Sequence, residues 1–329
     1  MEFKKPLVNH IYTADPSAHV FEGKIYIYPS HDVENDGLDD GKGDHFKMVD
    51  YHVLSMDDIG APCVDHGEAI HVKDVPWATT QMWAPDAAYK NGTYYFYFPA
   101  KDKDGIFRVG VATSDKPMGP FTPEPNYIPG SYSIDPAVFV DDDGRAYMYN
   151  GGLWGGQLEK WQNGTFDPDI PDIKAPFGEK ADQPALGPWV AEMNEDMKSF
   201  KTAPKEFKIL DENGEPLKER DTDKRFFEAP WVHKFGGKYY LSYSTGDTHF
   251  ICYAESETPL GPFTYKGVVL EPVLGWTNHH SIVEFKGKWY LFYHDSSLSG
   301  GQTHLRNVMY TEIDIAPDGT ITTVKPYDK

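Results

Sequence analysis

Residues Ala14–Ser30 read ADPSAHVFEGKIYIYPS. A short alternating run ends at Phe21, a Gly-containing turn follows at Gly23, and Tyr26 and Tyr28 then recur with a period of two. Period-two alternation on both sides of a tight Gly turn is the signature of a β-hairpin. The same pattern returns four times: APDAAYKNGTYYFYFPA from Ala84, IDPAVFVDDDGRAYMYNGG from Ile134, EAPWVHKFGGKYYLSYSTG from Glu228 and HHSIVEFKGKWYLFYHDS from His279. An offset repeat, ATSDKPMGPFTP from Ala112 and AESETPLGPFTYKG from Ala254, adds outer strands at the same station of two copies. One hairpin echoed five times at this spacing predicts an all-β, five-bladed β-propeller. Two stacked β-sandwiches, the alternative, have no reason to repeat one hairpin.

The rest of the chain fits one unit. No low-complexity linker divides the 329 residues, so residues 1–329 are read as a single propeller domain. The interval between Gly144 and Gly237 holds an insertion, Trp154 to Pro188, expected as a loop over a functional rim. The formal net charge of −20 argues against nucleic acid and against an anionic membrane surface as partners. No apolar run is long enough for a transmembrane helix. The opening MEFKKPLVNH has no apolar core of a leader, which predicts a cytoplasmic chain, or a secreted one whose leader was removed. Cys63 and Cys252 have no motif around them and are expected as separate thiols.

Inner strands of a propeller start beside the central axis, so equivalent positions converge there. Counting back from the turn glycines places Asp15, Trp83, Asp135, Glu228 and His279 at one station on five strands. Three crowded carboxylates repel one another, which raises at least one pKa and yields a proton donor beside an ionised base. Asp-Pro alone is a common turn opener; three acids in register are not explained that way. No Gly-x-Ser-x-Gly, HExxH or P-loop is present. Carboxylates among convergent aromatic rings suit neutral sugars and glycosidic-bond hydrolysis.

These residues resemble glycoside hydrolase family 43, five-bladed propeller enzymes acting on arabinose- and xylose-containing polymers. The resemblance runs from Asp15 to Arg306 and is carried by TADPSAHVFEGKIYIY, SIDPAVFVDDDGRAYMY, FEAPWVHKFGGKYYLSYS and NHHSIVEFKGKWYLFYHD. It implies an inverting mechanism with Asp15 as general base, Glu228 as general acid and Asp135 holding the acid's orientation and pKa. Base and acid are then expected roughly 6.5–9.5 Å apart. It also implies that His279, with His280 as rival, faces a calcium ion on the axis, and that Arg306 approaches sugar and base. Trp83 is expected in the pocket wall; Trp154, His249 and His45 are candidate sugar contacts. DDDG at 141–144 is expected as a hairpin turn, and the acid-rich stretch Asp32–Asp44 as a solvated rim loop.

The implied substrate is a xylo- or arabino-oligosaccharide, and no organic cofactor is expected. The two long insertions favour a walled pocket, hence exo release of terminal xylose or arabinofuranose. An endo-α-1,5-L-arabinanase and a non-catalytic sugar-binding propeller remain the alternatives, though Asp15, Asp135 and Glu228 are all intact acids.

Overall fold

The computed structural model describes residues 5–38, 41 and 43–327. Five sheets, antiparallel but for one short strand, follow one another along the chain. Blade 1 contains β1 (Tyr12–Phe21), β2 (Lys24–Asp32), β3 (Asp50–Met56) and β4 (Val64–His71). Blade 2 contains β5 (Asp86–Lys90), β6 (Thr93–Lys101), β7 (Phe107–Ser114) and β8 (Thr122–Pro123). Blade 3 contains β9 (Ala137–Val140), β10 (Ala146–Asn150), β11 (Trp189–Glu192) and β12 (Lys205–Glu206). In blade 4 the short β13 (Ile209–Leu210) runs parallel to the outer strand of β14 (Glu228–Phe235), β15 (Lys238–Ser244), β16 (Ile251–Ser256) and β17 (Phe263–Leu270). Blade 5 has three strands, β18 (His280–Phe285), β19 (Lys288–Asp295) and β20 (Asn307–Ile313).

The inner hairpins form where the repeat predicted them. Four close through two residues that both have positive φ, as at Asn91 (φ 53) and Gly92 (φ 84). Such turns match the right-handed strand twist, and glycine reaches them without a Cβ clash. Blade 3 differs: the DDDG stretch makes a longer turn, with Val140 paired to Ala146. Alternation then sends the two faces of each blade into two different cores. Tyr28, Tyr51 and Val53 pack with Phe96 and Phe98 between blades 1 and 2, whereas Ile25, Ile27 and Leu54 pack with Phe292 and Val308 between blades 1 and 5. Further cores join blades 2, 3 and 4 and blades 4 and 5, which makes the arrangement a closed ring.

The seam lies between blades 5 and 1. There the Leu7 N–H donates to the Val308 carbonyl and the Thr13 N–H to the Arg306 carbonyl, both at 2.9 Å. The insertion Trp154–Pro188 leaves blade 3 between β10 and β11 and carries three short 3-10 turns. Both cysteines are free, Cys252 in the core. No described helix is long and apolar enough to cross a membrane.

Leu241 is fully buried in the core of blades 3 and 4. Leu241→Ala is expected to cost about 2–5 kcal/mol of unfolding free energy, read from the shift in denaturant midpoint.

Candidate active site

The backbone aims the acids. Asp15 (φ 48), Asp135 (φ 60) and Ala229 (φ 58) each precede a proline and each adopt positive φ, which is uncommon for residues with a Cβ. In blades 1 and 4 the strand register slips at this point, between Ala14 and Ser17 and between Glu228 and Trp231. Such a bulge turns a side chain out of the sheet's alternation and toward the axis. The proline is therefore a better ruler than the turn glycine, because blade 3's turn is longer. By that ruler Asp15 and Asp135 share one station, immediately before proline. Glu228 and Trp83 share the station one residue earlier, each followed by Ala-Pro. The single station read from the glycines is thus two stations, offset by one residue.

Asp15 is fixed from several sides. The Ser30 hydroxyl donates to its Oδ2 at 2.6 Å, and Arg306 Nη1 donates to its Oδ1 at 3.0 Å. Its backbone N–H donates to His294 Nδ1 at 3.0 Å, so the His294 proton sits on Nε2, 3.1 Å from the Thr277 carbonyl and hydroxyl. Burial alone pushes the Asp15 carboxyl upward, but the adjacent Arg306 guanidinium overrides it and holds the group well below the usual carboxylate range. Arg306 is itself clamped by Asp32, which receives Nε at 2.8 Å, Nη2 at 2.7 Å and the Arg306 backbone N–H at 2.9 Å. Its guanidinium also lies 4.8 Å from the centre of the Phe46 ring. Asp32 is thus no part of a solvated rim: it is 2% exposed and anchors the arginine.

Glu228 and Asp135 form the opposite electrostatic case. The Glu228 carboxyl is raised by burial and by the charge of Asp15; Asp135 is raised by burial and by repulsion from Glu228 and Asp15. Neighbouring carboxyls of this kind share a proton. The Ala229 N–H donates to Asp135 Oδ2 at 2.9 Å, which favours charge on Asp135 and leaves the proton on Glu228. Among the described residues no side chain hydrogen-bonds the Glu228 carboxyl, so it faces the cavity free to donate. His279 Nδ1 lies 3.7 Å from Asp15 Oδ1 and 3.8 Å from Asp135 Oδ2, too far for hydrogen bonds. Burial pulls its pKa down to about 4, so its ring is neutral.

These groups open onto a cavity of ≈ 680 Å³, a size typical of small-molecule sites. Asp15, Asp135, Glu228, His279, Arg306, Trp83, Trp154 and His45 all line it. Trp83 donates from Nε1 to the Phe46 carbonyl at 3.0 Å and receives the Tyr51 hydroxyl on its own carbonyl at 2.6 Å, which fixes the indole. Trp154 stacks on Trp276 with ring centres 5.7 Å apart, and Lys174 lies 4.4 Å over its face. Both expected insertions reach the rim, through Asp36–Gly43 and through Trp154–Lys174. Residues 39, 40 and 42 of the first lie outside the described residues.

Two expected contacts do not line the cavity. His249 packs edge-on against Trp276 at 5.8 Å, behind the wall. His280 follows His279 and alternation turns it the other way, fully buried with Nε2 2.5 Å from the Ser242 hydroxyl. Sequence reasoning missed Ser30, Asp32, Thr277, His294 and His304. His304 lines the cavity, and its Nε2 is buried without a hydrogen-bond partner among the described residues.

The Glycosyl hydrolases family 43 model matches residues 3–321. The chain belongs to glycoside hydrolase family 43. It is 60% identical to xylosidase/arabinosidase 43A of Humicola insolens, over 98% of this chain and 99% of that protein. It is 53% identical to a xylosidase/arabinosidase of Bacteroides ovatus, over 99% of each. Among solved structures, a GH43 β-xylosidase/α-arabinofuranosidase from a compost microbial metagenome, in complex with xylotriose and in calcium-free form, superposes with a TM-score of 0.96 at 61% identity, over 100% of this chain and 99% of that one. This chain is accordingly a glycoside hydrolase built on the five-bladed propeller.

Asp32→Ala would leave the buried Arg306 with Asp15 as its one remaining carboxylate. It is expected to destabilise the protein by about 3–5 kcal/mol, measured by chemical unfolding. A loss near zero would show that the pair is not a structural anchor.

Proposed function

We propose that this family-43 enzyme is an exo-acting, inverting glycosidase that releases terminal xylose or arabinofuranose from xylan- and arabinoxylan-derived oligosaccharides. The observation that carries this reading is the division of charge across one walled cavity: an ionised Asp15 clamped by Arg306 faces a Glu228–Asp135 pair that holds a proton. Relatives named as xylosidase/arabinosidase at 60% and 53% identity supply the substrate class. Loops 36–43, 154–174 and 302–304 around the cavity favour release of an end sugar over endo cleavage of arabinan.

In this reading a water lies between Asp15 and the anomeric carbon. Asp15 takes its proton as the water oxygen bonds to that carbon, and Glu228 gives its proton to the departing glycosidic oxygen. The anomeric centre inverts, and proton exchange with solvent restores both acids. Asp135 keeps the acid protonated before the sugar arrives. Trp83, Trp154 and Trp276 supply indole surface to the wall against which the sugar packs, and His304 offers a ring nitrogen to a hydroxyl.

His279 is proposed to face a calcium ion on the axis. The neutral imidazole would supply a single nitrogen, and water the oxygens that calcium prefers. When bound, such an ion would add positive charge beside Asp15 and Asp135.

Glu228→Ala is expected to abolish release from natural linkages yet spare much activity on 4-nitrophenyl glycosides, whose leaving group needs little protonation. Asp15→Ala should be inactive on both. Equal losses on both substrate types in Glu228→Ala would remove it as the acid. Assays with 4-nitrophenyl xyloside, 4-nitrophenyl arabinofuranoside and linear arabinan separate the exo reading from an arabinanase, which would act on the polymer alone.

The pH profile of kcat/KM should narrow from either side. Arg306→Gln removes the cation that keeps Asp15 ionised, so its pKa rises and activity is lost at a higher pH on acidification. Asp135→Asn removes the charge that keeps Glu228 protonated, so the acid ionises earlier and the alkaline limb moves to lower pH. Unmoved limbs in the two variants would contradict the charge assignments.

A further inference from the structure

We propose that blade 1 carries a second metal site, for a zinc-like first-row divalent ion, formed by His31, Asp50 and His52. Strand β3 sets Asp50 and His52 two residues apart, so they share one face of the sheet. The pairing of Ser30 with Tyr51, continued by one residue, brings His31 of β2 opposite Asp50. Among the described residues this is the group of three whose candidate ligand atoms all lie within 4.8 Å of one another. The side chains are half-buried, His31 18% and His52 15% exposed, so the ion has access and yet a fixed cradle.

The surroundings match those of a transition-metal site. His52 Nδ1 is bonded to the Asp65 carboxylate of β4 at 2.9 and 3.1 Å, which places its proton on Nδ1 and its lone pair on Nε2. That lone pair points toward Asp50, with Nε2 3.8 Å from Oδ2, beyond hydrogen-bond length. A carboxylate behind a ligating histidine is the usual outer support of such sites. Asp65 is held in turn by the Gly67 N–H at 2.8 Å and by His10 Nε2 at 2.8 Å. His31 Nδ1 lies 2.8 Å from Asp50 Oδ1, and the ion would replace the proton shared there, releasing it to solvent.

Two imidazoles and one carboxylate select zinc or its neighbours; calcium and magnesium take oxygen ligands. The fourth position would be filled by water. None of the three residues lines the catalytic cavity. They alternate instead with Ser30, Asp32 and Tyr51, which hold Asp15, Arg306 and Trp83. An ion here pins β2 to β3, and through Asp65 to β4, directly behind the anchors of the base.

The test uses the full chain after EDTA treatment and dialysis, titrated with ZnCl2 and with CoCl2. The His279→Ala variant serves as background, so that the axial position contributes nothing. In that background one equivalent of Zn2+ is expected to bind and raise the melting temperature, and Co2+ to give the visible bands of a four-coordinate site. His52→Gln and His31→Gln should each lose that equivalent. Asp65→Asn should weaken binding about 10–100-fold. Metal-free His31→Gln and His52→Gln, made in the wild-type chain, should match the equally metal-free wild-type protein in turnover of the aryl glycoside, which verifies folding. Unchanged Zn2+ stoichiometry in folded His31→Gln and His52→Gln would overturn the proposal. So would a Co2+ titration of the background protein without those bands, a result that needs no further variant to fold.

Discussion

The active centre depends on one buried ion chain, Asp32–Arg306–Asp15. Two neighbouring strands and one segment distant in sequence supply it: the bulge of β1, the end of β2 and the residue just before β20. Taking a guanidinium out of water is expensive unless its donors are matched by fixed acceptors, and here Asp32 receives both prongs of the fork while Asp15 receives the third nitrogen. The carbonyl of the same arginine accepts the Thr13 N–H at the seam that joins the first and last blades. Ring closure and ionisation of the base are therefore one structural event. Once Asp15 holds its charge, a second full negative charge on both remaining acids becomes unfavourable, and the Glu228–Asp135 pair keeps a proton.

Much of this was legible in the sequence, for identifiable reasons. The hairpins announced themselves through period-two aromatics and two-residue turns, signals that are local and do not need the tertiary structure. The acids announced themselves because each lies 8 or 9 residues before the turn glycine of an inner hairpin, the same station on three strands. What escaped was non-local or depended on facing. Asp32 sits in a charge-dense stretch, DVENDGLDDGKGD, that reads as solvated; its partner lies 274 residues away. Ser30 and His294 are ordinary strand residues until β1 bulges between them. His279 and His280 presented an either/or that alternation resolves, since neighbours in a strand point to opposite faces. His249 follows a strand at the right end of its blade, but it packs against the Trp276 ring and does not line the cavity.

The wall of the cavity has a different origin from its floor. Rigid inner strands carry the acids, whereas the aromatic and polar wall comes from the segments after β2, before β5, after β10, before β18 and before β20. This separation lets the reaction stay constant while the recognised sugar changes. Trp154 shows how a loop residue is nonetheless made firm: its indole N–H donates to the Ile173 carbonyl at 2.9 Å, and its faces meet Trp276 and Lys174.

The pre-proline residues Asp15, Asp135 and Ala229 have a thermodynamic consequence of their own. Each holds a left-handed backbone torsion that disfavours any residue bearing a Cβ by roughly 1–2 kcal/mol. The ring's buried surface keeps that torsional energy in the ground state permanently. Carboxylates mounted on such stiff pedestals have little reorientation left when a sugar arrives, so the entropy of alignment is spent during folding and not during turnover.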